Sequence, residues 1–376
     1  MTMYSEIMPS LRIGDKMASV PIVQGGMGVG ISRAGLAAAV ANCGGIGVIA
    51  AVGLDLLEGR ARGRTKGMSS RLLHEEIAKA KSMTGGIIGV NIMVALSDYT
   101  SLVTAAIEAE ADLLFLGAGL PLHLSDEYPP QRLDYLRTRI VPIVSSARAA
   151  ELIFSYWSRK YGRIPDAVVV EGPRAGGHLG FRHEQIDDPA YALEKLLPGV
   201  VAALRPWEQE YGKSIPVIAA GGVFDGRDIL RMISLGAGGV QMATRFIATY
   251  ECDADPAFKQ ALIDAGQEDI AIIQSPVGLP GRAIRNQFIR DVEAGERKPF
   301  TCPFKCLKTC DYKTAPYCIA LAFGNAQQGR LEQGFAFTGA NGYRVDRLVS
   351  VAELIAELKE GYYAAVEKEL HQYATA

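Results

Sequence analysis

The chain has 376 residues, 49% of them apolar, and a formal charge of −2. That balance supplies a large core and gives no electrostatic footprint for nucleic acid or an anionic membrane surface. The apolar run at residues 40–52 is broken by glycine and too short to span a bilayer, and residues 1–10 lack a basic flank followed by an apolar stretch, so a cytoplasmic protein without a membrane partner is expected.

Eight short apolar runs, rich in Val and Ile or bounded by Gly, predict strands at residues 20–24, 46–51, 87–94, 113–117, 141–145, 167–171, 216–220 and 239–243. Apolar side chains on both faces are what parallel strands covered by helices require. Helical spacing between the runs predicts helices at residues 33–41, 70–81, 99–110, 148–160 and 226–235. Strand alternating with helix gives parallel βα units, and eight units predict an α/β fold of the closed (β/α)8 TIM-barrel type over residues 1–249. Two connections are long. The one before the third strand carries the basic run Arg60, Arg62, Arg64 and Lys66, read as a solvated loop; the one before the seventh carries an extra helix around residues 191–204.

The pattern changes after the eighth strand. Residues 255–265 read as helical, residues 271–286 as extended around a Pro/Gly turn at 276–281, and a four-cysteine segment follows. Residues 250–344 are expected to form a small cap over the barrel mouth. Residues 345–376 are expected to form a C-terminal helix that packs back on the barrel through Leu354, Leu358 and Val366.

Ligands of such barrels bind at the C-terminal strand ends, often with a phosphate after the seventh and eighth strands. Here those strands end in Gly221 and Gly222, and in Gln241, Met242, Ala243 and Thr244. Glycine backbone approaches a phosphate closely and Thr244 adds a hydroxyl, so the two turns together predict a phosphate-bearing ligand. The first strand ends in Gln24, Gly25, Gly26 and Met27, where backbone without Cβ accommodates a flat ring. Asn91 lies in a Val/Ile-rich strand and needs partners for its amide, either from a neighbouring loop or from a ligand with mixed donors and acceptors. His178, one of five histidines, stands in the Gly-rich loop after the sixth strand, in reach of general-base or oxyanion chemistry. His183 is a weaker second candidate.

Two of the six cysteines, Cys43 and Cys252, are isolated and read as small core residues. Cys302, Cys306, Cys310 and Cys318 are spaced C-x3-C-x3-C-x7-C. In a reducing compartment such a group suggests a metal before disulfides: a [4Fe-4S] cluster ahead of zinc, or four reduced thiols.

Taken together, residues 21–28, 89–93, 171–180 with their Ala-Gly-Gly-His core, 219–223, 241–246 and 275–286 resemble the nitronate monooxygenase (2-nitropropane dioxygenase-like) family, which includes FMN-dependent enoyl-acyl-carrier-protein reductases. The resemblance implies non-covalent FMN. It places Gln24, Gly25, Gly26, Met27 and Asn91 around the ring and ribityl chain, Gly180 near the flavin, and Gly221, Gly222, Gln241, Met242, Ala243 and Thr244 on the phosphate, with His178 as the active-site histidine. The implied activity is oxidation of alkyl nitronates with O2. The alternatives are NAD(P)H-dependent reduction of an enoyl thioester or quinone, and a flavin/iron–sulfur electron-transfer or redox-sensing module. The partner is thus a small molecule or an acyl thioester, and a homodimer is compatible with this reading. An inosinate-dehydrogenase-like barrel is discounted, because its chemistry needs a cysteine in the loop after the sixth strand and residues 172–180 hold none.

Overall fold

In the computed structural model the described residues are 8–58, 67–133, 135–296, 300–302, 305–308 and 310–374; the basic run at residues 60–66 lies outside them. β1 (Leu11–Ile13) and β2 (Lys16–Ala18) form an antiparallel hairpin with no counterpart in the sequence reading. Leu11, Ile13 and Ala18 pack on the inward-facing barrel residues Val23, Val48, Phe115 and Ile218, and Asp15 pairs with Arg139 at 2.8 Å. The hairpin therefore stoppers the barrel at the end where the strands begin.

The barrel strands are β3 (Ile22–Gln24), β4 (Ile46–Ala50), β5 (Ile87–Met93), β6 (Leu113–Gly117), β7 (Arg139–Val144) and β8 (Val168–Glu171). After the two-residue β9 (Gly177–His178) come β10 (Val217–Ala220) and β11 (Gly239–Met242). All but β9 pair in parallel, and Val240 opposite Ile22 closes the ring into an eight-stranded barrel. Alternation sorts the side chains: in β4, Ile46 and Val48 point inward while Ile49 points to the helices. Each of the eight predicted runs contributes one barrel strand.

The surrounding helices are α1 (Ala34–Asn42), α2 (Leu54–Glu58), α3 (Met68–Met83), α4 (Tyr99–Glu108), α5 (Pro130–Leu133), α6 (Ala147–Tyr161), α7 (Leu193–Tyr211), α8 (Gly226–Ser234) and α9 (Thr244–Ile247). Local chemistry sets their ends. Ser146 caps α6 by accepting from Ala149 N at 3.2 Å, a contact of about 1 kcal/mol, and Gly162 ends it in the left-handed region. The extra helix α7 runs past its predicted end, through Pro198 and Pro206, to Tyr211. Its buried stripe of Leu193, Leu197, Val200 and Leu204 overrides the hydrogen bonds that proline removes.

The remainder begins with α10 (Pro256–Ile263) and the hairpin β12 (Ile270–Gln274) and β13 (Pro280–Ile284), followed by α11 (Gln287–Glu293), α12 (Ile319–Gln327) and α13 (Val351–Ala374). Phe288, Tyr317 and Phe335 form an aromatic core under the hairpin. β13 also pairs with β9, Gly281 opposite His178, so the loop after the sixth barrel strand is stitched to the cap. α13 buries Leu354, Leu358 and Val366 and lies across α8, where Gly361 meets Gly226. Among the described residues no helix is long and apolar enough to cross a membrane.

Candidate active site

A cavity of about 340 Å³ opens where all eight barrel strands end. Its base is barrel: Gly25, Gly26 and Met27 after β3, Asn91 in β5, Glu171 at the end of β8, and the turns after β10 and β11. Its roof is cap: Leu307, Ile319, Ala320, Phe323, Phe335 and Phe337. One side is thus polar and built on backbone, and the other apolar and aromatic.

The polar end is organised around Gly221 and Gly222, with φ of 95° and 89°. That left-handed backbone strains any other residue, and a Cβ on Gly222 would stand 2.9 Å from Arg174 Cβ. Arg174 lines the cavity beside this turn and donates to Asn341 Oδ1 at 2.8 Å; Asn341 Nδ2 in turn donates to the Gly222 carbonyl at 2.7 Å. Thr244 Oγ1 accepts from Gly339 N at 3.0 Å. The cap segment around Gly339 and Asn341 is therefore fastened to both turns. Gln241, Met242, Ala243 and Thr244 all line the cavity.

Deeper in, Asn91 presents a carboxamide with no hydrogen-bond partner among the described residues, which favours the ligand-facing alternative for its amide. Glu171 borders the cavity and is half-buried there, and desolvation pushes its carboxyl up to about 7. A positive-φ cradle with an arginine beside it, an unpartnered amide and a flat Gly25–Gly26 wall fit a planar ligand carrying a phosphate.

His178 sits between barrel and cap. Its Nε2 is 2.8 Å from Ser275 Oγ, and its ring meets Phe337 edge-on at 5.1 Å. Burial draws the imidazole down to about 4, so the ring is neutral at physiological pH. His183 lies in a short 3-10 turn and does not line the cavity.

Two expected residues stand elsewhere. Gln24 is fully buried within the barrel wall; its amide donates to Gly25 O at 2.5 Å and accepts from Val48 N at 3.0 Å, so it joins β3 to β4 instead of lining the cavity. Gly180 lies beyond the cavity against Ser145, because β9 turns away from the barrel; Gly176 and Gly177 line it in its place. Glu171, Arg174, Asn341 and the aromatic roof were not anticipated. Glu171 ends the strand before the Gly-rich loop that holds His178, and Arg174 lies within that loop, so charge at a strand end was the available signal; Asn341 carries none.

Cys306 lines the cavity wall, and its carbonyl accepts from Ser97 N at 3.0 Å. Cys302 Sγ accepts from Lys305 N at 3.4 Å, and Cys318 stands at the N-cap of α12. All four are free thiols, and no three His, Cys, Asp or Glu among the described residues are gathered as a metal-holding group.

The sequence profile of a family described as nitronate monooxygenase matches residues 12–112 and 121–361. A Staphylococcus aureus protein described as "probable nitronate monooxygenase" is 30% identical over 303 residues, covering 73% of this chain and 78% of the relative. A Mycobacterium tuberculosis enzyme, (3aS,4S,5R,7aS)-5-hydroxy-7a-methyl-1-oxo-octahydro-1H-indene-4-carboxyl-CoA dehydrogenase, is 30% identical over 74% of this chain. The chain spans 66% of that relative's length and 65% of its Rhodococcus jostii counterpart, just under two thirds of each. Among solved structures, FabK from Thermotoga maritima superposes with a TM-score of 0.71 at 27% identity, covering 94% of this chain and 95% of that one. Nitroalkane oxidase from Streptomyces ansochromogenes shares the fold, with a TM-score of 0.69 at 24% identity over 93% and 97% of the two chains.

Proposed function

The chain belongs to the nitronate monooxygenase family, and from that premise we propose that it is an FMN-dependent oxidoreductase that oxidises alkyl nitronates with O2. The observation that carries the reading is one cavity in which the Gly221–Gly222 turn, Arg174, the unpartnered Asn91 amide and His178 converge. When bound, FMN supplies the redox chemistry that side chains alone do not provide. Gly221, Gly222, Arg174 and Thr244 hold its phosphate end; Gly25, Gly26, Met27 and Asn91 hold the ring side. His178, neutral and fixed by the cap, orients the substrate's oxygen atoms. Phe323 and Phe337 exclude water above the reacting centre.

A second reading is NAD(P)H-dependent reduction of an enoyl thioester or quinone. The apolar roof of Ile319, Ala320, Phe323 and Phe337 favours it, since it has the character an acyl chain needs. The likeness to FabK and to a CoA-thioester dehydrogenase supports it. Anaerobic mixing separates the two: bleaching of the flavin absorbance by a nitronate supports the first, and bleaching by NADH or NADPH supports the second.

For the cysteine segment we propose a [4Fe-4S] cluster on Cys302, Cys306, Cys310 and Cys318, ahead of zinc. Cys306 and Cys318 already pack on one apolar patch with Val29, Leu56 and Ala320, and the amide of Lys305 donates to Cys302 sulfur. Ligation requires this segment to draw its sulfurs together. Iron and sulfide analysis of anaerobically purified protein tests it; four iron atoms per chain is the expected result, and none rejects it.

A further inference from the structure

We propose that Ser275 is a positioning residue for His178, holding the ring in the tautomer with its proton on Nδ1, so that the imidazole meets the ligand as a neutral hydrogen-bond donor. The inference rests on the reading above that His178 faces the reacting centre.

Protons and lone pairs around Ser275 decide the tautomer. Ser275 follows β12 at the hairpin turn and is 3% exposed. Its place is fixed by two backbone bonds, Ser275 N to Leu279 O and Gly278 N to Ser275 O, both 3.0 Å. A serine hydroxyl offers one proton and two lone pairs. One lone pair receives Val277 N–H at 3.4 Å, and the other near neighbour is His178 Nε2 at 2.8 Å. If the ring donated from Nε2, the hydroxyl proton would be left without an acceptor among the described residues, in a place closed to water. A buried donor left unsatisfied is costly. The arrangement that satisfies every group has Ser275 Oγ–H donating to Nε2. The ring proton then sits on Nδ1, which has no protein partner among the described residues and belongs to a side chain that lines the cavity.

The surroundings hold this choice in place. Antiparallel pairing sets His178 opposite Gly281, and Leu179 N donates to Pro280 O at 2.9 Å, so the backbone on both sides of the contact is fixed. Phe337, edge-on at an interplanar angle of 75°, restricts rotation of the ring. Burial keeps the imidazole neutral, which is the state that has a tautomer to select. With Nε2 engaged, the ring's remaining function is donation from Nδ1–H to an oxygen of the substrate. No proton changes hands, and the side chain orients and polarises an anionic or carbonyl oxygen.

The test is selective 15N-histidine labelling of the intact protein, with the His178 signals assigned by their loss in His178→Gln. Long-range proton–nitrogen spectra at neutral pH are expected to show Nδ1 as the protonated nitrogen and Nε2 as the unprotonated one. In Ser275→Ala the pattern shifts toward Nε2–H, and kcat falls about tenfold while flavin absorbance is retained; Ser275→Thr, which keeps the hydroxyl, restores the wild-type pattern. Wild-type Nε2 protonation, or an unchanged pattern in Ser275→Ala, overturns the proposal. Where Ser275→Ala does not fold, the wild-type spectrum alone decides. Because the spectra need no turnover, a wild-type pattern as expected in a protein inert to nitronates and enoyl thioesters sinks only the functional reading.

Discussion

Asn341 donates its side-chain amide to the Gly222 carbonyl at 2.7 Å, so a residue of the C-terminal cap completes the turn that ends the seventh barrel strand. The cap and the Gly221–Gly222 turn are thereby one structure: Asn341 also accepts from Arg174, and Gly339 N donates to Thr244. Asn341→Ala removes a neutral bond of about 1 kcal/mol and leaves Arg174 free to swing, so the FMN Kd is expected to rise roughly fivefold. Quenching of flavin fluorescence on titration measures this directly.

Gly222 gives a harsher test of the same turn. A valine there adds bulk into Arg174 and forces a β-branched residue to a φ of 89°. Gly222→Val is expected to be purified folded but without flavin, judged by circular dichroism and by the visible spectrum. A yellow variant with stoichiometric FMN counts against the phosphate assignment.

The barrel was legible because its strands are short Val- and Ile-rich runs, most of them followed by Gly or a small residue, a signal that survives without any neighbour. The hairpin at Leu11–Ala18 was not, since Arg12 and Lys16 interrupt its two short strands, whereas the equally short β3 is apolar and runs into Gly25 and Gly26. At Gly221 and Gly222 the tight turn expected from the sequence is present, with positive φ at both and both lining the cavity. Two residues that the resemblance places around the flavin do not line the cavity: Gly180 follows β9, which joins the cap, and Gln24 spends both ends of its amide on backbone. Asn341 could not be found, because its meaning comes from a partner 119 residues away.

Glu171 carries a prediction in pH. Its carboxyl is raised to about 7 by burial alone. A raised acid favours the protonated folded state, so its contribution is fully present below the ordinary carboxylate value of 4.5 and is lost as pH rises through about 7. In flavin-free protein, Glu171→Gln is expected to raise Tm by a few degrees at pH 9 and to leave it nearly unchanged at pH 4.5. An equal shift at both values removes the titration argument.

His178 lines the cavity, and the contacts of its ring are Ser275 and Phe337 of the cap, with none to the Gly222 turn. His178→Ala is therefore expected to keep FMN at wild-type stoichiometry while kcat falls by about 10²-fold. Steady-state rates on whichever substrate bleaches the flavin decide it; undiminished turnover removes His178 from the chemistry.

The absorption spectrum of the purified chain, before and after gentle incubation with FMN and desalting, bears most directly on the whole account. One oxidised flavin per chain, released on denaturation as free FMN, is the predicted result. A colourless protein that leaves the column without FMN contradicts it.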